Sequence, residues 1–183
     1  MGVIRTNIEP AHLPRGTSAR HVITRLPDDA PASDRPPGPG DAWMRLAGLA
    51  EACRDRDGPA VTAAGLRAEI GFRPGRRVTA WIATRPGGDG AAGLVTLVES
   101  RPRAGGPPRY SIGWLLVDPA ERRLGLGSAL VAAAVAEAVA RGADRVTAET
   151  RSDWAGATAF WRRLSAHAGG GGPDVAAGGG EAG

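Results

Sequence analysis

One stretch constrains what this chain can fold into more than any other. Residues 110–142 read Y-S-I-G-W-L-L-V-D-P-A-E-R-R-L-G-L-G-S-A-L-V-A-A-A-V-A-E-A-V-A-R-G. Tyr110 to Val117 is short, apolar and rich in β-formers, which predicts a strand. Asp118-Pro119 ends it, because proline cannot donate to a ladder. From Ser128 the apolar positions recur at helical spacing, with Val131, Val135 and Val139 in one row and Leu130, Ala134 and Ala138 in the next. The helix should run to Arg141, with Gly142 as its C-terminal cap.

Between strand and helix lies Arg122-Arg123-Leu124-Gly125-Leu126-Gly127-Ser128. Glycines without a Cβ let a ligand approach the backbone closely. The unpaired N–H groups and positive dipole end of a helix start make an anion site. Arg122 and Arg123 add charge suited to phosphate oxygens. On these residues alone, a plain strand-to-helix turn with glycines for tight packing explains the segment equally well.

The flanking elements add to it. V-D-P-A-E-R-R-L-G-L-G-S-A-L resembles the acetyl-CoA-binding motif of the GNAT superfamily of N-acetyltransferases, Arg/Gln-x-x-Gly-x-Gly/Ala, at Arg122, Gly125 and Gly127. The resemblance is close at 110–142, loose elsewhere, and spans roughly residues 21–164. It implies a three-layer α/β fold: a mixed, mostly antiparallel central sheet flanked by helices.

Composition bounds the other possibilities. A length of 183 residues suits one domain with a sizeable core. All 23 basic residues are arginine, so with 28 glycines and 15 prolines the arginine count follows a biased composition rather than a binding role. No basic run or basic-aromatic interleaving points to nucleic acid. Cys53 is the only cysteine and His12, His21 and His167 are scattered, which argues against a disulfide framework and a metal site. No apolar run is long enough to span a membrane and no signal-peptide pattern opens the chain, so the expectation is a soluble, cytoplasmic protein.

Along the chain, residues 1–20 read as an irregular extension and 21–167 as the domain. His21–Leu26 alternates as a first strand, and the proline-rich 27–40 is an exposed loop within the domain. Asp41 caps a helix through Cys53, Arg54–Gly58 is a solvated turn, and Thr62 caps a second helix to Ile70. Three strands follow, 78–84, 92–99 and 110–117, with turn signals between them that imply an antiparallel meander. Residues 145–150 form another strand, parallel to the last of these across a helical crossover. The 168–183 tail is rich in glycine and alanine and too poor in apolar residues for strands, so it reads as disordered. The family's two final strands are therefore expected to be absent. That leaves strand 145–150 as an open edge, which a second copy would cover in a homodimer.

The resemblance also assigns roles. Leu115, Leu116 and Val117 would offer backbone to the pantetheine arm, one N–H polarising the thioester carbonyl. The amides from Leu124 through Gly125, Leu126 and Gly127 to Ser128 would hold the pyrophosphate, beside Arg122 and Arg123. In the last helix, Ala157 and Phe160 match the family's N-x-x-A-x-x-F-Y, whereas Trp154, Trp161 and Ser165-Ala166 depart from it. Trp161 replaces the tyrosine that often protonates the leaving thiolate, and an indole cannot serve as that acid. Tyr110, the only tyrosine, lies at the far end of its strand and reads as packing.

General bases of this class are typically carboxylates. Glu99 is the first candidate and Glu149 the second, each weighed against a solvated strand-end charge. Asp118 caps the turn. Glu69 and Arg67 can touch substrate, but a solvated helix face is the preferred reading. Trp43, Trp81 and Trp114 are assigned to the core. The expected function is direct acetyl transfer from acetyl-CoA to an amine acceptor in a ternary complex, without metal. The alternative is a degenerate domain that binds acyl-CoA or a protein partner without catalysis.

Overall fold

The computed structural model describes residues 2–8, 13, 20–26, 42–53, 61–70, 75–102, 105–152, 154–166 and 174–175. In chain order the elements are β1 (Val3–Ile8), β2 (Val22–Arg25), α1 (Ala42–Ala52), α2 (Ala63–Ile70), β3 (Arg76–Thr84), β4 (Ala91–Ser100), β5 (Arg109–Val117), α3 (Leu126–Ala140), β6 (Val146–Arg151), α4 (Ala155–Ala166) and the two-residue β7 (Asp174–Val175). They build one sheet in the order β2-β3-β4-β5-β6-β1-β7. The Asp41 cap, the 27–40 loop, the 54–58 turn, His12 and His167 lie outside the described residues.

The meander is as expected: β3 pairs antiparallel with β4, and β4 with β5. β6 joins β5 in parallel after the crossover through α3. β4 is buried along almost its whole length, so its near-continuous apolar run places it centrally with both faces covered. On one face α3 and α4 close a core that includes Val95, Leu97, Ile112, Leu130, Val135 and Trp161. On the other, α1 and α2 pack Leu46, Leu49, Leu66 and Ile70 onto Leu94 and Leu116. Thr62 caps α2 as expected, its Oγ1 accepting from the Gly65 N–H at 3.0 Å. Trp81 is core, and Trp114 packs half-buried against the α1–α2 side. Tyr110 is buried, its hydroxyl donating to the Arg141 carbonyl at 3.3 Å. Val139 departs from its predicted row and is 43% exposed, because a row stepped every four residues drifts about 40° per step round a helix of 3.6 residues per turn.

Two expectations are corrected at the ends of the chain. Residues 3–8 are not irregular. They form β1, antiparallel to β6 along its whole length, with Ile4, Thr6 and Ile8 buried and Val3, Arg5 and Asn7 exposed. The expected open edge of β6 therefore does not exist, and the reason given for a homodimer goes with it. The tail also supplies a short strand, since Asp174 and Val175 pair with Arg5 and Ile4. The places where the resemblance calls for C-terminal strands are thus filled by β1 and β7. Among the described residues no helix is long and apolar enough to cross a membrane.

Candidate functional site

β5 and β6 pair only over Tyr110–Ile112 and Val146–Ala148. Beyond these, β5 continues to Val117 beside β4, and β6 continues to Arg151 beside β1. The two strands part because each stays paired to its other neighbour. A cleft opens between them, floored by the strand backbones and pointing toward the loop after β5.

A bulge marks where the cleft begins. Register passes from Leu97↔Ile112 to Val95↔Leu115, so Gly113 and Trp114 together oppose Thr96. The Trp114 N–H turns to the Thr96 hydroxyl at 2.7 Å. Past the bulge, the Leu115 and Val117 side chains pack on the α3 side and Leu116 on the α1 side. These three residues pair with β4 on one side and not with β6 on the other.

The loop that follows is tied down from several directions. Asp118 caps a short turn over Pro119–Glu121, its carboxylate accepting from the Ala120 N–H at 2.9 Å. Glu121 is buried, takes Arg85 Nε at 2.6 Å on one oxygen, and meets His21 Nε2 at 3.0 Å through the other. The Arg85 guanidinium holds its carboxyl below the usual range against the opposing effect of burial, and His21 adds to the lowering. Sequence reasoning missed this trio, for nothing local links residues 21, 85 and 121. Arg122 Nε donates to the Val117 carbonyl at 3.3 Å, where the Cys53 thiol also points at 3.6 Å. Burial pushes that thiol up, so Cys53 is a neutral thiol rather than a nucleophile.

α3 starts at Leu126, two residues earlier than the periodicity predicts, with Gly125 as its N-cap. Gly125 has φ +82°, and open space surrounds the position a Cβ would take. Among the described residues no side chain caps this helix end, so the first amides of a 15-residue helix face the mouth of the cleft. Arg123 and Leu124 are exposed beside it, and Ser128 is half-buried. The Leu126 side chain is 1% exposed and belongs to the core, so this residue offers its amide alone. α4 leans over the same end: the Phe160 ring would stand 3.3 Å from a Cβ on Gly127. Ala157 and Phe160 are half-buried against the core at this wall.

The arrangement suits a diphosphate carried on an extended, amide-containing arm. Thr150 is an independent sign of fit. It sits two residues past the last β5–β6 pair, 5% exposed, and its hydroxyl has no hydrogen-bond partner among the described residues. A buried hydroxyl without a partner is costly unless a ligand or water meets it.

The predicted catalytic carboxylates fare differently. Glu99 is not brought to the cleft. It pairs with Tyr110 in register, three residues or about 10 Å short of Thr96 at the bulge, on the side away from the cleft. Its buried carboxylate is 3.5 Å from Arg141 Nη1 and 3.3 Å from Arg101 Nε, on the α3 side of the sheet. Arg141 also donates to Thr79 at 2.9 Å and to Glu137 at 2.6 Å, so Glu99 belongs to a network that fastens α3 to the sheet. Glu149 lies on the β6 wall one residue past Ala148, about half exposed and bonded to Arg5 Nε at 2.9 Å. Glu69, read as a solvated helix face, is instead only 20% exposed in its side chain and reaches the bulge. Trp161 is 6% exposed and packs edge-on to Phe160 at 4.9 Å between centroids, within the core. Trp154 sits at the turn into α4, with the Arg151 guanidinium 5.6 Å above its ring.

Known proteins share this fold. Residues 46–165, about two thirds of the chain, match the acetyltransferase (GNAT) family. A search of curated proteins finds no match. Among solved structures the fold resembles a tandem GNAT protein from the clavulanic acid biosynthesis pathway, at 14% identity and TM-score 0.60, covering 90% of this chain and 49% of that one. The present chain thus spans about half the length of that relative. It also resembles an aminoglycoside acetyltransferase from an uncultured soil metagenomic sample in complex with sisomicin, at 20% identity and TM-score 0.56, covering 79% and 86%. An acetyltransferase from Trypanosoma brucei matches at 17% identity and TM-score 0.51, covering 79% and 90%. With residues 46–165 matched by the family, the chain belongs to the GNAT family of acetyltransferases.

Proposed function

We propose that this protein is an N-acetyltransferase that moves the acetyl group of acetyl-CoA directly onto an amine in a ternary complex. The observation that carries this reading is the parting of β5 and β6 after Ile112 and Ala148, beside the uncapped start of α3. Acetyl-CoA supplies an activated acyl group as a thioester. The Leu124–Ser128 amides, with Arg122 and Arg123, would neutralise the pyrophosphate. The Leu115–Val117 backbone would pair with the amide arm, and the Thr150 hydroxyl is suited to one of its polar groups. Ala157 and Phe160 would wall the arm on the α4 side.

The residues bind and orient more than they transfer protons. Holding amine and thioester together removes the entropy of a bimolecular encounter, which is a large part of such catalysis. A backbone N–H near the bulge would stabilise charge on the carbonyl oxygen. With Trp161 in the core, the leaving thiolate takes its proton from solvent; thiols near pKa ~8.5 need only modest help.

Burial of Trp161 also supports a second reading, an acyl-CoA-binding domain without turnover. Two measurements separate them: calorimetry with CoA, then acetyl-CoA consumption with sisomicin, spermidine and an alanine-ended peptide. Binding with turnover of any amine supports the enzyme. Binding with no turnover supports the second reading, and no binding overturns both.

A further inference from the structure

We propose that Glu69 receives the acceptor amine and takes its proton, over the gap that Gly113 leaves at the head of the cleft. This rests on the acetyl-transfer reading above. Gly113 is exposed and is the first β5 residue beyond the last β5–β6 pair. A Cβ there would stand 2.7 Å from Thr96 Oγ1, 3.0 Å from Val98 Cγ2 and 3.1 Å from Glu69 Oε1. A carboxylate oxygen therefore lies at contact distance from the strand backbone, at the place where the two strands separate. Any side chain at 113 would press on it.

The placement follows from how α2 docks. Leu66 and Ile70 are buried in the core on this face, which fixes the helix rotation. Glu69, three residues past Leu66, then overhangs β5 rather than facing bulk water. Arg76, at the start of β3, ion-pairs with Glu69 Oε1 and fixes the carboxylate's orientation. Both side chains are mostly buried, at 20% and 23% exposure, so the pair is held rather than fluctuating in solvent. Glu99 lies on the opposite face of the sheet with Arg141, and Glu149 is half exposed on β6 with Arg5.

The chemistry needs a group there. Alkyl amines are mostly ammonium at neutral pH and must lose a proton before attacking. In the proposed step the amine nitrogen forms a bond to the thioester carbonyl carbon, and the C–S bond breaks with its electron pair on sulfur. The ammonium proton passes to the Glu69 carboxylate and on to water before attack; the nitrogen sheds a second proton by the same route once it is bonded to carbon, and the thiolate gains a proton from solvent. The competing explanation is that Glu69 and Arg76 only tie α2 to β3.

Three variants of the full chain separate these ideas: Glu69→Gln, Glu69→Asp and Arg76→Gln. We expect CoA affinity by calorimetry to be unchanged in Glu69→Gln. Its kcat/KM with the best of sisomicin, spermidine and the alanine-ended peptide should fall about a hundred-fold to ten-thousand-fold. The wild-type rise of kcat/KM on the acid side of its pH profile should vanish with it. Glu69→Asp, which keeps a carboxylate, should retain more activity than Glu69→Gln even if it is less stable. Arg76→Gln should lose stability and much less turnover. Activity of Glu69→Gln within a few-fold of wild type overturns the proposal alone, as does an Arg76→Gln loss equal to that of Glu69→Gln. A wild type that binds CoA but acetylates none of the three amines overturns it together with the enzyme reading.

Discussion

Ile112 of β5 and Ala148 of β6 are the last residues of their strands to pair with each other, and everything proposed for the site lies beyond them. Up to that pair the sheet is continuous. After it, β5 stays with β4 and β6 stays with β1, and the gap between them ends at the start of α3.

The loop at that helix start should decide ligand binding. Gly125→Glu puts a side chain on a residue at φ +82° and adds negative charge where phosphate would lie. Calorimetry should show CoA binding lost in this variant. In the wild type, affinity should weaken as salt rises, because exposed charges are screened.

Thr150 tests the β6 wall. Its buried hydroxyl has no partner among the described residues, so Thr150→Val removes an unmet polar group at similar volume. The variant should be as stable as wild type or more stable. If the hydroxyl serves the arm of CoA, affinity should fall about five- to ten-fold, the worth of one hydrogen bond.

Glu121 predicts a pH effect on stability. Arg85, with His21 adding to it, holds its folded-state carboxyl below the ordinary 4.5. A carboxyl lowered on folding contributes stability that is present above its unfolded value and lost as pH falls through the folded one. Glu121→Gln should therefore be less stable than wild type near neutrality, with the difference closing at pH values below about 4. Urea unfolding of both proteins across pH 3–7 would show it.

β1 should be essential to the fold rather than an appendage. Ile8 is 3% exposed and lies in the main core, so Ile8→Ala should cost about 2–5 kcal/mol. For a chain of this size that corresponds to roughly 4–20 °C in Tm. Removing residues 1–8 would bare the β6 edge, and light scattering should then show association where the full chain shows less.

Trp161→Tyr should not speed turnover. The indole is 6% exposed in the core, so a smaller ring with a hydroxyl leaves space and buries a polar atom there. Loss of Tm with unchanged CoA affinity and no gain in kcat is the expected result.

What the chain makes legible is local. The loop at 122–128 can be read because a strand, a proline stop, paired glycines and an apolar helix follow one another within 33 residues. Each of those signals depends on neighbouring residues. β1 was readable too, since Ile4, Thr6 and Ile8 alternate with Val3, Arg5 and Asn7, but the run is short and its partner lies some 140 residues away. Glu99 shows the limit. A carboxylate at a strand end looks the same in sequence whichever end of the sheet it occupies, and only the antiparallel register sends it away from the cleft and under Arg141. Glu69 is the converse: its spacing on α2 reads as a polar helix face, and the docking of that helix over Gly113, 44 residues later, makes it a site residue. Helix rotation and strand register are settled by which apolar faces bury together, and that is a property of the whole packed chain rather than of any segment.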